Sequence, residues 1–338
     1  MATAPGIPCA SAARTLRWLS VLVAPLWLAG CGAPAPKPAS PPHGGTGPAG
    51  TSAPLRVVTT VLPVGLFTRA VAGDCATVEP LLPAGTDLHD LPVSPQLVAR
   101  LRKADVLVLN GFGLEDPLER LVAAAANPRL RRVEAAARLA PLPGHDHDHG
   151  HGHGHGSDPG AAAVNPHVWL DPRRAAGQVR TIRDALVAAD PSRAPCFRRN
   201  ADRFLAELER LDRDLARQLA PHAGRPVVSF HDLAPYFADR YRLQSESVVD
   251  LPGDNPSVAD LRRVADALRR QRLQALLVDP RAEASAFRTL AEDLDLKVLA
   301  FDPIERATEA EARRPAHYLE TMRRNGTAVV ESLRTPLR

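Results

Sequence analysis

Short β-branched runs alternate with helical patterns from Leu55 onward: "LRVVTTV", "FTRAVAG", "ATVEPLLP", "SPQLVARLRK", "DVLVLNG" and "LERLVAAAA" follow in turn. Such alternation predicts parallel strands with covering helices. A second series begins at Pro226: strand "PVVSF", helix "DLAPYFADRY", strand "SESVV", helix "VADLRRVADALRR", strand "ALLVD", helix "EASAFRTLAEDL", strand "KVLAF" and a closing helix from Pro315 to Leu333. Between the series, Asp171 and Pro172 signal the start of a helix running to Ala189. After it, Phe204, Leu208, Leu211, Leu215 and Leu219 mark one face of a long helix from about Ser192 to Leu219. At 1.5 Å per residue it would be roughly 40 Å long. The expected fold class is α/β, with two lobes, each a parallel sheet flanked by helices, joined by one long rigid helix. Residues 55–191 form the first lobe, 192–220 the link and 221–338 the second lobe.

With 338 residues, 45% of them hydrophobic, the chain can bury such cores. Its formal net charge of +4 comes from arginines scattered among acids in helical patterns. They read as solvated helix faces, so nucleic acid is not an expected partner. Arg14 and Arg17 precede an apolar run from Trp18 to Leu28 that ends in "LAGC". The run is too short to span a bilayer and has the layout of a secretory signal. It resembles a bacterial lipobox, which implies that residues 1–31 are a signal and Cys31 carries lipid. Residues 32–54, rich in Pro, Gly, Ala and Ser, read as a tether that cannot fold. The expected location is periplasmic or cell-surface, lipid-anchored. Cys75 and Cys196 then remain in an oxidising setting, where a disulfide between them is open but unplaced by sequence.

Ligands of open parallel sheets bind beyond the carboxyl ends of strands. Three histidines fall at such places: His89 in "PAGTDLHDLP", His167 in "NPHVWLDP" and His231 in "SFHDLAPYF". Neutral imidazole is a strong donor to zinc. An anionic fourth ligand would complete a tetrahedron, and Asp279 in "LLVDP" and Asp302 in "LAFDP" offer it equally. Glu115 in "NGFGLED" reads as a helix-start carboxylate. His43, His222 and His317 are assigned no metal.

"GTDLHDLPVSPQLVARLRKADVLVLNGFGLE", "HDHDHGHGHGHG", "NPHVWLDP", "SFHDLAPYFADRY", "VLAFDP" and "HYLETMRRN" stand in the order and spacing of the metal-specific solute-binding lipoproteins of ABC importers, the zinc and manganese group. The chain resembles that family from about Leu55 to Leu333. The resemblance implies two α/β lobes bridged by a rigid helix, with metal in the cleft. It puts the ligands on His89, His167, His231 and Asp302, setting Asp279 aside. Relatives usually carry an aromatic and a Glu soon after the first histidine, where this chain has "HDLPVSP".

Three imidazoles and a carboxylate favour Zn²⁺ in a closed four-coordinate site. Mn²⁺ prefers more oxygen, and the family's manganese members tend to carry Glu where this chain has His231. The expected role is capture of Zn²⁺ by a monomer and delivery to an ABC permease and its ATPase. An enzyme would need an open metal position, and the chain has no "HExxH". The alternatives are a manganese or other divalent-metal-binding protein of the same family, or a surface zinc buffer or adhesin without a transport role. His145, His147, His149, His151, His153 and His155, in the glycine-rich stretch 143–159, form an expected accessory that binds several ions weakly.

Overall fold

The computed structural model describes residues 53–82, 94–144, 164–249, 258–271, 273, 275–281, 291–293 and 295–334. The first sheet contains β1 (Leu55–Thr59), β2 (Ala76–Pro80), β3 (Val106–Leu109) and β4 (Arg131–Glu134), with α1 (Leu62–Ala72), α2 (Pro95–Lys103) and α3 (Glu119–Ala125) between them. All its pairs are parallel, in the order β2-β1-β3-β4. Next come α4 (Pro172–Ala189) and α5 (Ala194–Leu219). The second sheet holds β5 (Pro226–His231), β6 (Gln244–Val249), β7 (Ala275–Val278) and β8 (Lys297–Ala300), with α6 (Pro235–Tyr241) and α7 (Val258–Gln271) between its first three strands. It repeats the parallel order as β6-β5-β7-β8. The chain closes with α8 (Glu309–Ala312) and α9 (Ala316–Arg334). Most of the helix expected in "EASAFRTLAEDL" lies outside the described residues, as does the proposed signal and most of the tether.

In the first sheet, period-2 alternation decides which core each strand residue enters. Val57, Val106 and Val108 face the main core, whereas Val58, Leu107 and Leu109 face a second cluster with Leu97 and Leu101 of α2 and Leu121 of α3. Burial on both faces is why β3 reads "VLVL" without polar alternation.

The main core is shared. Side chains of the first sheet, α1, α4, α5 and α9 join Val227, Leu277, Leu299 and Phe301 of the second sheet's side in one buried cluster. Ser52–Arg338 accordingly forms one compact unit in which the two sheets share a core. The linking helix α5 has 26 residues, about 39 Å at 1.5 Å per residue. Its expected face, Phe204, Leu208, Leu211, Leu215 and Leu219, is buried. Gly326 lets α9 lie directly on this face, because a Cβ there would come within 2.3 Å of Leu215 Cδ2. Cys75, beside the end of α1, is bonded to Cys196 at the start of α5, with Cα atoms 6.6 Å apart.

Hydrogen bonds also join the two halves. Trp169 Nε1 donates to the Pro303 carbonyl at 2.7 Å, and Tyr318 Oη donates to the Trp169 carbonyl at 2.7 Å. Tyr236 Oη donates to the Asn165 carbonyl at 2.8 Å and accepts from the Leu142 N–H at 2.9 Å. Among the described residues, no helix is long and apolar enough to cross a membrane.

Candidate metal centre

His231 is the last residue of β5, the strand from which the order reverses to β6 on one side and β7 on the other. That reversal opens the crevice where parallel sheets bind ligands. The side chain is 1% exposed, and neither ring nitrogen has a hydrogen-bond partner among the described residues. Leaving a buried polar group unsatisfied costs on the order of 1–3 kcal/mol. Burial, reinforced by the charge of neighbouring His167, pushes the ring's pKa down to about 4. At neutral pH the ring is therefore uncharged and carries a lone pair.

His167 reaches the same place from the other half. Pro166 stiffens the approach, a 3-10 turn covers Val168–Leu170, and Asp171 caps α4 by accepting from the Arg173 N–H at 2.7 Å. Asn165 Oδ1 accepts from the His167 backbone N–H at 2.9 Å and lies 3.0 Å from Nδ1. Nε2 faces Glu305 Oε1 at 2.9 Å. An incoming cation would replace that contact with bonds to both groups.

Glu305 follows β8 through a tight turn, in which Asp302 Oδ1 accepts from the Ile304 N–H at 2.8 Å and Ile304 takes φ +63°. Burial works to raise the Glu305 pKa, but the hydrogen bond from His167 and the charges of His167, His231 and Arg306 outweigh it. The net direction is downward, which keeps the group an anionic donor. One ligand atom from each of His167, His231 and Glu305 lies within 4.8 Å of the others. The two imidazole rings stand 6.0 Å apart, centre to centre. Donors around a tetrahedral ion with bonds of about 2.0–2.1 Å sit roughly 3.4 Å apart, so small side-chain movements suffice to close on one ion.

The sequence-derived set maps unevenly onto this geometry. His167 and His231 come together as expected. His89 lies outside the described residues, as do His145, His147, His149, His151, His153, His155 and Cys31. Asp302 is not in the cluster; its carboxylate is taken by the Ile304 N–H and by Arg281 Nη1 at 3.6 Å, while Asn325 Oδ1 accepts its backbone N–H at 2.9 Å. Asp279 is also absent from the group, accepting instead from the Arg281 N–H at 2.9 Å. The carboxylate that stands beside the two histidines is that of Glu305, which does not directly follow a strand and so lacks the strand-end signal of Asp279 and Asp302. The available signal was a second acid in "DPIE", three residues on, where Pro303 breaks the strand.

Glu115 stands at the start of the 3-10 turn Asp116–Leu118, as expected, but its side chain makes no capping bond. Its buried carboxylate accepts from Thr60 Oγ1 at 2.7 Å and from the N–H groups of Asn110 at 2.6 Å and Gly111 at 3.0 Å. Gly111 takes φ +93°, a conformation glycine adopts without a Cβ penalty. Glu115 therefore holds the loop after β3 in place. Buried His317 on α9 has an unpartnered Nε2 among the described residues, yet belongs to no metal-binding group there.

Residues 57–332 match the family described as ZnuA, zinc-uptake complex component A, periplasmic. The chain is 30% identical over 279 residues to the zinc-binding lipoprotein AdcA of Streptococcus pneumoniae, covering 82% of this chain and 56% of that protein. It thus spans about half the length of such relatives. A putative metal-binding protein of Treponema pallidum is 29% identical over 272 residues, covering 80% of this chain and 84% of its own length. Among solved structures, the Zn(II)-bound ZnuA-like domain of S. pneumoniae AdcA superposes with a TM-score of 0.70 at 28% identity, covering 84% of this chain and all of that domain. The solute-binding protein FpvC of Pseudomonas aeruginosa, in complex with Mn²⁺, gives 0.70 at 27% identity, covering 83% of this chain and 98% of its own. With this fold, and with a histidine and carboxylate cluster at its switch point, the chain belongs to the ZnuA family of zinc-uptake components.

Proposed function

We propose that the chain is an extracytoplasmic solute-binding protein that captures Zn²⁺ between its halves and delivers it to an ABC permease and its ATPase. His167, His231 and Glu305 bind the ion, and His89 is the fourth ligand. The observation that carries this reading is the convergence of three donors within 4.8 Å, one of them a buried imidazole with both nitrogens unpartnered among the described residues. Two nitrogen donors and a carboxylate suit zinc better than manganese, which prefers oxygen. With four protein ligands, no coordination position remains for a catalytic water, so the role is carriage and not hydrolysis.

Capture proceeds by exchange. The ion takes the place of the direct His167–Glu305 contact and gives the buried His231 ring a partner. Cross-cleft hydrogen bonds and a shared core support modest side-chain closure over a wide hinge motion. Cys31 carries the lipid anchor, the protein works as a monomer, and the histidine stretch adds weak sites beside the tight one.

Equilibrium dialysis of the metal-free protein against zinc tests the reading. Wild type takes up one tight equivalent, and His231→Ala loses it; tight uptake by that variant would remove the centre from this place. Delivery is checked by growth: deleting the gene should slow growth only under zinc limitation, with rescue by wild type and not by His231→Ala.

A further inference from the structure

We propose that Asn165 is the positioning residue of the centre, fixing the His167 ring so that Nε2 is the ligand atom through a bond anchored in the other half of the molecule. The inference rests on the zinc-capture reading above.

Asn165 is 3% exposed, and all its polar atoms are engaged. Nδ2 donates to the Asp232 carbonyl at 2.8 Å and to Asp232 Oδ2 at 2.9 Å. Two acceptors facing one amide nitrogen settle which end of the amide points where, because a flipped amide would set oxygen against oxygen. Oδ1 is thereby turned towards His167. It accepts the backbone N–H at 2.9 Å and takes the Nδ1 proton across 3.0 Å. The Asn165 N–H donates to the Leu142 carbonyl at 3.1 Å, and its own carbonyl accepts from Tyr236 Oη at 2.8 Å.

An imidazole offers either nitrogen to a metal, and the choice follows from the hydrogen bond at the other nitrogen. Losing such an outer partner costs metal affinity roughly 10–100-fold. Here the partner is itself held by Asp232, the residue after His231. One amide therefore touches the first half's ligand and the immediate neighbour of the second half's ligand. His167 keeps its binding orientation only while the two halves remain docked at Asp232.

The test uses the full-length protein, with zinc affinity read by chelator competition, His167 nitrogen shifts by NMR in the zinc-loaded form, and melting of the metal-free form. In wild type, His167 coordinates through Nε2 and shows a slowly exchanging Nδ1 proton. Asn165→Ala should weaken zinc binding about 10–100-fold and lose the slow exchange. Asn165→Asp keeps an acceptor for Nδ1 while facing Asp232 with a second carboxylate, so it should retain the Nδ1 proton signature while melting lower. Coordination through Nδ1 in wild type would overturn the proposal without any variant. Unchanged affinity in Asn165→Ala would also overturn it, as would an equal fall of affinity and melting temperature with the Nδ1 proton still protected. His167→Ala separates the two readings. If it keeps tight zinc, the centre is misplaced; if it loses zinc while Asn165→Ala does not, only the positioning role fails.

Discussion

At the scale of single residues, His231 makes a pH-dependent prediction for the metal-free protein. Its folded pKa of about 4 lies below the ordinary 6.5, so the folded state disfavours the charged ring. The associated stability is present above pH 6.5 and is lost as pH falls towards 4, by on the order of 3 kcal/mol in full. Urea unfolding at pH 7 and pH 4.5 should register this loss, and His231→Gln should flatten the dependence. A second residue-scale prediction separates the acids after β8. Glu305→Gln should weaken zinc at least tenfold, whereas Asp302→Asn should chiefly lower melting, since Asp302 holds the turn and faces Arg281. Isothermal titration and a thermal melt of each variant decide it. His167 and His231 were legible in sequence because each lies beside local punctuation, Pro166 before one and a strand end before the other. Glu305 carries only the weaker signal of a second acid in "DPIE", and the positive φ at Ile304 that turns it to the histidines is not announced by an isoleucine.

Elements read more clearly than sites, because each strand and helix repeats its signal over several residues. The period-2 run of β3 and the spaced leucines of α5 are examples. What periodicity could not give was the polar contact made off that stripe. Asp212, beside Leu211 on α5, is buried and accepts from Arg240 Nε at 2.7 Å, Arg240 Nη2 at 2.6 Å and Arg173 Nε at 3.0 Å. Burial works to raise its pKa, but the two arginines hold it below the usual carboxylate value. Arg173 belongs to α4, the helix that follows His167, and Arg240 to α6, the helix that follows His231. A single carboxylate on the spine thus ties down the helix behind each ligand. Asp212→Ala leaves Arg240 in its half-buried place without its main anion, and should cost about 1–3 kcal/mol. Chemical denaturation of the metal-free protein measures it. Gly326→Ala should also destabilise, by about 1–3 kcal/mol, because α9 must move off Leu215.

For the molecule as a whole, the two sheets and the linking helix follow the expected topology, and the core runs through both halves. Which helices share a core is decided by close approaches such as Gly326 on Leu215, and these join residues far apart in sequence. The Cys75–Cys196 bond adds to that continuity by closing a loop with a sequence separation of 121. Its reduction should cost about 2–4 kcal/mol in stability. The central claim is that one ion is held across the halves by His167, His231 and Glu305, with His89 completing the set. Anomalous diffraction at the zinc edge from crystals of the loaded protein tests it most directly. A single strong peak should appear, bonded to a ring nitrogen of His231, to His167 Nε2 and to a carboxylate oxygen of Glu305. A peak bonded to Asp302 or Asp279 instead, or strong density only among the histidines of residues 145–155, would contradict it.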